Sequence, residues 1–344
     1  MPANALDAAA VNSGELSVAD MKAAAANKAA GAQSTSERRR SSVTTEKVKL
    51  NSGHYIPQVA LGVYKAPNDG TTENAVKWAF EAGYRHVDSA ARYMNEEAVG
   101  RAVQEFVQKG GVAREELFIT SKLWDADHEK AAEAINDSLK KLQLEYIDLY
   151  LIHSPGNLGP EARLKAWKDL EDAVDAGKIK SIGVSNFDVE ELDHLLANCR
   201  IKPAVNQIES HPFFAHEELR EATIARGIHV QAYSPMAQGA ALEREEIKAI
   251  ADKHGKSSAQ VLLRWGLQIG NIILPKSLTQ SRIEANAEIF DFVLDEDDMT
   301  LLNSLDEGLK MGKLGPAGTS APGSRRSSNS GGAAGGKLAM SSNA

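Results

Sequence analysis

Cysteine is almost missing from this chain. The single thiol, Cys199, excludes an internal disulfide framework and fits a reducing compartment. Nothing in Asn198-Cys199-Arg200 activates it, so it reads as a structural thiol. One cysteine and scattered histidines give no zinc-ligand spacing, and no metal is expected. Long apolar runs are missing as well: none approaches the roughly 20 residues of a membrane span. The N-terminus lacks the basic start and apolar core of a secretory signal, and Asp7, Glu15 and Asp20 argue against a mitochondrial transit peptide. Ser342-Asn343-Ala344 is not a peroxisomal address. The expected location is therefore cytoplasmic, with no membrane partner. Positive charge is in deficit, 39 Lys and Arg against 47 Asp and Glu, a net charge of -8. That balance argues against nucleic acid as a partner while leaving room for a local basic pocket.

What is present falls into three parts. Residues 1–44 are rich in Ala, Ser, Asn and Thr, with too few large hydrophobes to order themselves, and are expected to be disordered. Residues 312–344 shift to Gly, Ser and Ala and are expected to be a flexible tail. Between them, over 45–311, the pattern is regular. Lys47-Val48-Lys49-Leu50 and Ile56 flank the turn signal Asn51-Ser52-Gly53, which predicts an opening hairpin. Eight short apolar runs follow: Val59–Leu61, His86-Val87, Leu117–Thr120, Ile147–Ile152, Ile182–Val184, Ala204–Ile208, His229–Tyr233 and Ile272–Leu274. Amphipathic helical segments alternate with them, and a last pair, Ser281–Ile289 and Asp297–Leu305, follows the eighth strand. Ser257 and Gln260 form a capping box for the helix carrying Val261, Leu262, Leu263 and Trp265. Eight β/α alternations predict a closed (β/α)8 TIM barrel with an N-terminal β-hairpin and two extra C-terminal helices. A doubly wound open sheet would ask for G-x-G-x-x-G after the first strand, and none is there.

In such barrels chemistry sits at the C-terminal ends of strands and in the loops that follow. Asp88 ends strand two of the barrel with Tyr93 in its loop, Lys122 ends strand three and His153 ends strand four. Taken singly, each has a plain structural use: a loop cap, a packed ring, a rim cation, a hydrogen-bonded imidazole. Delivered to one rim, they make a proton-handling set. A phenol with a pKa of about 10 is a poor acid at neutral pH. An ammonium beside it is expected to lower that value, with a carboxylate holding the ammonium charged and imidazole orienting a carbonyl oxygen. Later strands end in Ser185-Asn186, Gln207 and Tyr233, polar groups and a ring face that suit a planar carboxamide-bearing ring. Strand eight leads into Lys276-Ser277, with Arg282 and Asn286 on the next helix, a set suited to a phosphate ester.

These motifs together resemble the aldo-keto reductase family, over about Glu46 to Asp306, and in particular its short-loop microbial members of the diketogluconate reductase and prostaglandin F synthase type. The resemblance implies catalytic roles for Asp88, Tyr93, Lys122 and His153, with Tyr93 as general acid. It implies carboxamide contacts from Ser185, Asn186 and Gln207, ring stacking on Tyr233, and Gly62 and Asp88 at the nicotinamide end. Ser234 and Met236 match the pyrophosphate loop, Lys276, Ser277 and Arg282 the 2'-phosphate site, and Asn286 the adenine contact. The implied cofactor is NADPH, and the implied reaction is reduction of aldehydes or ketones to alcohols. The substrate wall falls on Tyr64, Tyr93, Trp124, His153 and Ser154. Tyr64 and Ser154 stand where tryptophan is common in related members, and Ala285 stands where an acidic or amide adenine contact is frequent. A short Met236–Glu243 loop predicts easy cofactor exchange, and a tail poor in apolar residues past Leu314 predicts a permissive pocket.

The expected partner is a small carbonyl compound, and the expected state a monomer, with a dimer as the alternative. Two functional alternatives remain: a nucleotide-binding, redox-sensing regulatory subunit with the same fold, and a polyol dehydrogenase working in the reverse direction. Outside the family pattern, Arg39-Arg40-Ser41-Ser42 and Arg325-Arg326-Ser327-Ser328 repeat one tetrapeptide. It reads either as a chance basic cluster or as a pair of phosphorylation sites.

Overall fold

The computed structural model describes residues 46–312. The expected N-terminal extension, the tail from Lys313 and both Arg-Arg-Ser-Ser tetrapeptides lie outside the described residues. The hairpin forms as β1 (Lys47–Lys49) and β2 (Tyr55–Pro57), paired antiparallel. The eight barrel strands follow in parallel order: β3 (Leu61–Gly62), β4 (His86–Asp88), β5 (Phe118–Leu123), β6 (Ile147–Ile152), β7 (Ile179–Ser185), β8 (Val205–Glu209), β9 (His229–Tyr233) and β10 (Ile272–Leu274). Isolated parallel bridges Val59↔Ile273 and Gly62↔Lys276 join the last strand to the first segment and close the ring. The first strand is thus shorter than its apolar run and displaced toward Gly62, because residues 58–60 exchange backbone bonds with Ile273 rather than with β4.

Helices α1 (Gly70–Glu81), α2 (Glu96–Gln108), α3 (Ala131–Leu142), α4 (Gly159–Asp175), α5 (Val189–Asn198) and α6 (Glu217–Ala225) alternate with the strands. Helices α7 (Glu245–His254) and α8 (Ser258–Gln268) fill the gap before β10, and α9 (Gln280–Ala287) and α10 (Glu296–Asn303) follow it. The start of α8 is the reciprocal cap its sequence predicts, with Gln260 N–H donating to Ser257 Oγ and Ser257 N–H to Gln260 Oε1. Before α3, Asp125–Lys130 turns as a 3-10 segment.

The barrel's inside and outside follow the two-residue period of a strand. On β6, Leu149 and Leu151 join Phe118, Val205 and Ile272 in a small inner core, while Tyr150 and Ile152 face the helices. Leu50 and Ile56 of the hairpin belong to that inner core and cover its lower end. A Cβ on Gly183 would lie 2.7 Å from the Val205 carbonyl oxygen and 2.8 Å from Leu151, so β7 and β8 approach here only through glycine. Cys199 is half-buried and free, and burial pushes its thiol up, in keeping with a structural role. No helix among the described residues is long and apolar enough to cross a membrane.

His86 ties the hairpin to the barrel. Its Nδ1 faces the Pro57 carbonyl at 3.2 Å, so Nδ1 carries the proton, and Nε2 accepts from Thr120 Oγ1 at 3.0 Å. The bond from Thr120 needs the neutral ring, and burial drives the pKa down to about 3 although the Pro57 bond opposes that fall. Between that value and the unfolded value of about 6.5, the unfolded chain binds a proton that the folded chain does not. Stability contributed by neutral His86 is therefore full above pH 6.5 and declines by up to ~1.4 kcal/mol per pH unit below it. The urea midpoint of the native protein is expected to fall between pH 7 and pH 5, and by less in His86→Gln; equal falls would contradict this assignment.

Candidate active site

Lys122 stands at the centre of the barrel's C-terminal mouth and is fully buried. Its ammonium has three protons and meets three acceptors: Asp88 Oδ1 at 2.6 Å, the Ser89 carbonyl at 2.8 Å and Tyr93 Oη at 3.3 Å. Parallel pairing of β4 with β5, with Asp88 opposite Thr120, places the acid one pleat below the lysine. The loop after β4 turns immediately into a 3-10 segment, Ala91–Tyr93, which brings the phenol back over the ammonium. Asn95 fixes that loop: its Oδ1 accepts from Ser89, and its Nδ2 donates to the Val63 and Ala66 carbonyls beyond β3.

Burial lowers the Lys122 pKa, and Asp88 resists that fall through charge and hydrogen bonding. For Tyr93 the structure overturns the expected direction. Burial pushes its pKa well above the ordinary phenol value, and the Asp88 carboxylate and the phenols of Tyr233 and Tyr64 push it further. Lys122 does not win because its charge is already spent on Asp88 at a shorter distance. Tyr93 is thus held firmly protonated. His153 ends β6 with its ring edge-on to Tyr93, 5.5 Å between centroids, and to Trp124 at 5.4 Å. Burial first, then the Lys122 and Arg92 cations, hold its imidazole well below the usual value, so the ring is neutral. Its buried Nδ1 has no partner among the described residues.

The opposite wall is amide-rich. Gln207 Nε2 donates to Asp88 Oδ2 at 2.8 Å and to Gln231 Oε1 at 3.0 Å, so one chain of polar contacts spans β4, β8 and β9. Ser185 Oγ donates to the Gln207 carbonyl, and Asn186 Nδ2 donates to the His153 carbonyl and to Ser185 Oγ. Tyr233 Oη donates to Asn186 Oδ1 at 2.9 Å. Left-handed backbone at non-glycine residues gathers at this mouth, at Lys65, Met94, Asn186, Ser234, Ala237 and Gln238. Each carries a cost of order 1 kcal/mol, a pattern that accompanies functional loops. Met236 packs on the core beneath that loop.

At the strand-eight end, Lys276 and Arg282 are exposed and make no side-chain hydrogen bond or ion pair among the described residues. Burial and the nearby Lys65 cation lower the Lys276 pKa, the mark of positive charge without its counter-charge. Ser277 differs from its expected use: its hydroxyl bonds the backbone of Thr279, donating to the carbonyl and accepting from N–H, and so shapes the entry to α9. Asn286 is buried nearby on α9. Gly62 lies where the ring closes, its N–H on the Pro275 carbonyl at 2.9 Å, and a Cβ there would meet the Leu274 carbonyl oxygen at 3.3 Å. These residues fit a dinucleotide phosphate: unpaired cations, a helix start and a close backbone approach.

Tyr64 is half-exposed, its ring 5.0 Å from that of Tyr93. Ser154 does not face the opening as expected. It is buried, and its hydroxyl donates to Asp125 Oδ2 at 2.6 Å, tying the loop after β6 to the loop that carries Trp124. Sequence reasoning also missed Glu209. Its two oxygens accept the amides of Met311 and Gly312 at 2.7 and 2.8 Å, drawing the end of the described chain onto the mouth. A Cβ on Gly312 would lie 3.1 Å from Tyr233 Oη, so the segment assigned to an open tail begins as a strap against that ring.

An Asp–Lys–Tyr–His constellation at a barrel mouth, buried except for the partly exposed Tyr93, with a basic phosphate-type site beside it, defines an oxidoreductase arrangement. The comparisons agree. The model of the aldo/keto reductase family matches residues 59–307. Glyoxal reductase of Bacillus subtilis is 46% identical over 267 residues, covering 77% of this chain and 94% of that protein. Methylglyoxal reductase DkgA of Escherichia coli K12 is 43% identical over 267 residues, covering 77% and 95%. The solved aldo/keto reductase from Brucella melitensis superposes with a TM-score of 0.73 at 43% identity, covering 77% of this chain and 99% of that one. Bombyx mori aldo-keto reductase, solved with NADP, superposes with a TM-score of 0.71 at 40% identity, covering 76% and 92%. This chain belongs to the aldo/keto reductase family, and its activity is nicotinamide-dependent reduction of aldehydes and ketones to alcohols.

The Asp88–Lys122 pair has a stability consequence of its own. Lys122→Met leaves a buried carboxylate without its cation and is expected to destabilise by about 3–5 kcal/mol. Adding Asp88→Asn should recover at least half of that loss in urea unfolding. A double variant no more stable than the single one would show that the lysine acts by packing instead.

Proposed function

We propose that this protein reduces small reactive aldehydes and α-oxoaldehydes with NADPH, using Tyr93 as proton donor, and that it works as a monomer. The observation that carries the reading is the buried Lys122 ammonium shared between Asp88 and Tyr93. NADPH, when bound, supplies the hydride to the carbonyl carbon. The chain's own residues do the rest. His153, neutral and edge-on to Tyr93, orients the carbonyl oxygen toward the phenol. Tyr93 gives its proton to that oxygen as negative charge develops there. Lys122, 3.3 Å away, then stabilises the phenolate left behind, and Asp88 keeps the lysine charged. The phenol's raised pKa means the proton stays in place until an oxyanion forms. Ser185, Asn186 and Gln207 would hold the carboxamide, exchanging their present mutual hydrogen bonds for it, with the ring on Tyr233. Gly62 would border that ring, and Ser234 and Met236 the pyrophosphate.

The named relatives reduce glyoxal and methylglyoxal, which favours α-oxoaldehydes as substrates here. Tyr93→Phe is expected to lower kcat for methylglyoxal by about 10²–10⁴-fold while NADPH affinity, read by protein fluorescence quenching, stays within a few-fold. Wild-type turnover in the variant would overturn the proton route.

Preference for NADPH over NADH rests on Lys276 and Arg282, with Ser277 shaping the turn between them and Asn286 at the adenine side. Charge-assisted contacts of this kind contribute about 1.5–3 kcal/mol each. Lys276→Met with Arg282→Met is therefore expected to weaken NADPH binding by at least a hundredfold, with NADH affinity changed far less. Equal losses for the two nucleotides would place the phosphate elsewhere.

A further inference from the structure

Arg92 has no part in the proton route, yet it is the residue directly before Tyr93 and stands at the same mouth. Its guanidinium lies 5.0 Å from the centroid of the Trp124 ring, and Trp124 in turn packs edge-on to His153. The charge therefore stands no more than two ring spacings from His153, and its field is felt there, helping to keep the imidazole neutral. Arg92 is exposed and makes no hydrogen bond or ion pair among the described residues. It also lines a surface groove of about 380 Å³ that runs outward from Trp124 past Met94. Met94 is 73% exposed, so the groove has an apolar shoulder beside the cation. Asp127, Glu133 and Asp137, with Lys130 and Lys141, line the rest of this groove, so its outer part is of mixed charge and the end at Trp124 carries Arg92 alone. Lys65 also lies over an aromatic ring at the mouth, that of Tyr64, but its field falls on Lys276 and so belongs to the phosphate side. Besides the buried Lys122, Arg92 is the cation whose field falls on His153.

Resting on the carbonyl-reduction reading above, we propose that Arg92 selects carbonyl substrates that also carry a carboxylate, set about one ring's breadth from the reacting carbon. The stacked guanidinium is held by the indole with its N–H edges free, the geometry in which arginine grips a carboxylate with two parallel hydrogen bonds. The apolar body of the substrate lies against Trp124 and Tyr64, and the acid reaches the rim instead of Tyr93, where a second negative charge would be repelled by Asp88. The hydride and proton transfers are unchanged; only the distal group is recognised.

The test measures kcat/KM for 4-carboxybenzaldehyde and for its methyl ester, in wild type and in Arg92→Met. The ratio of the two substrates is the readout, because any general effect of losing the Trp124 stack divides out. The acid-to-ester ratio is expected to fall by about tenfold or more in the variant, the size of one charge-assisted contact. In wild type the ratio should also shrink as ionic strength rises, and in Arg92→Met it should not. A ratio within twofold of wild type in Arg92→Met would overturn the proposal. Absence of NADPH oxidation by wild type with both aldehydes would overturn the carbonyl-reduction reading itself.

Discussion

A lysine ammonium with no access to water is the constraint around which this barrel is arranged. Removing such a charge from solvent costs several kcal/mol, and the cost is offset only if every proton finds an acceptor and a counter-charge is close. Lys122 meets both conditions through Asp88, the Ser89 carbonyl and Tyr93. Those three acceptors come from one strand end and its loop, so the β4–β5 register and the turn through Ala91–Tyr93 are specified together. Asn95 then locks that loop to the segment after β3. Tyr93 is consequently placed by the needs of the lysine beneath it. Its chemistry follows from that position.

The same logic runs along the barrel axis. Toward the hairpin the interior is mainly Leu50, Ile56, Phe118, Leu149, Leu151, Val205 and Ile272, and the polar groups there, His86 with Thr120 and Ser181 with Ser52, are bonded in pairs. Toward the C-terminal ends the strands deliver Asp88, Lys122, Gln207 and Gln231, linked from one side of the ring to the other. Buried amides of this kind leave some capacity unmet: Gln231 Nε2 and Asn206 Oδ1 have no partner among the described residues. A site whose polar groups mostly satisfy one another is rigid before anything binds, which keeps reorganisation at the moment of reaction small. Where a ligand must enter, strain replaces satisfaction, in the left-handed residues of Ser234, Ala237 and Gln238.

Much of this could be read from residue order, because strand ends of a parallel barrel point to one rim whatever the details of packing. Asp88, Lys122 and His153 were placeable from three apolar runs and the residues that end them. The Ser257–Gln260 cap was equally legible, since a reciprocal cap is local. What escaped was every contact that depends on which loop lies beside which. Ser154 turns from the opening to Asp125, and Glu209 reaches Met311 and Gly312 more than a hundred residues on. The direction of the Tyr93 shift escaped for a different reason. A nearby ammonium predicts a lowered phenol, but sequence gives no measure of burial, and here burial together with Asp88 outweighs the cation.

That reversed sign makes the site easier to understand as a catalyst. A phenol lowered to neutral pH would be partly ionised at rest, and its proton would be missing from a share of the molecules. A phenol held well above its ordinary value is always loaded, and its reluctance to ionise is overcome only by an oxygen that is itself becoming anionic. Lys122, engaged at 2.6 Å with Asp88 and at 3.3 Å with Tyr93, has slack on the phenol side that can be taken up when the phenolate forms. Interactions that strengthen only as charge develops lower the barrier without tightening the ground state. The neutral His153 fits the same design, since an imidazolium beside Lys122 and Arg92 would compete for the proton's destination and repel the cations already there. Burial therefore does two jobs with one cause: it keeps the proton on Tyr93 and off His153, so a single route remains open.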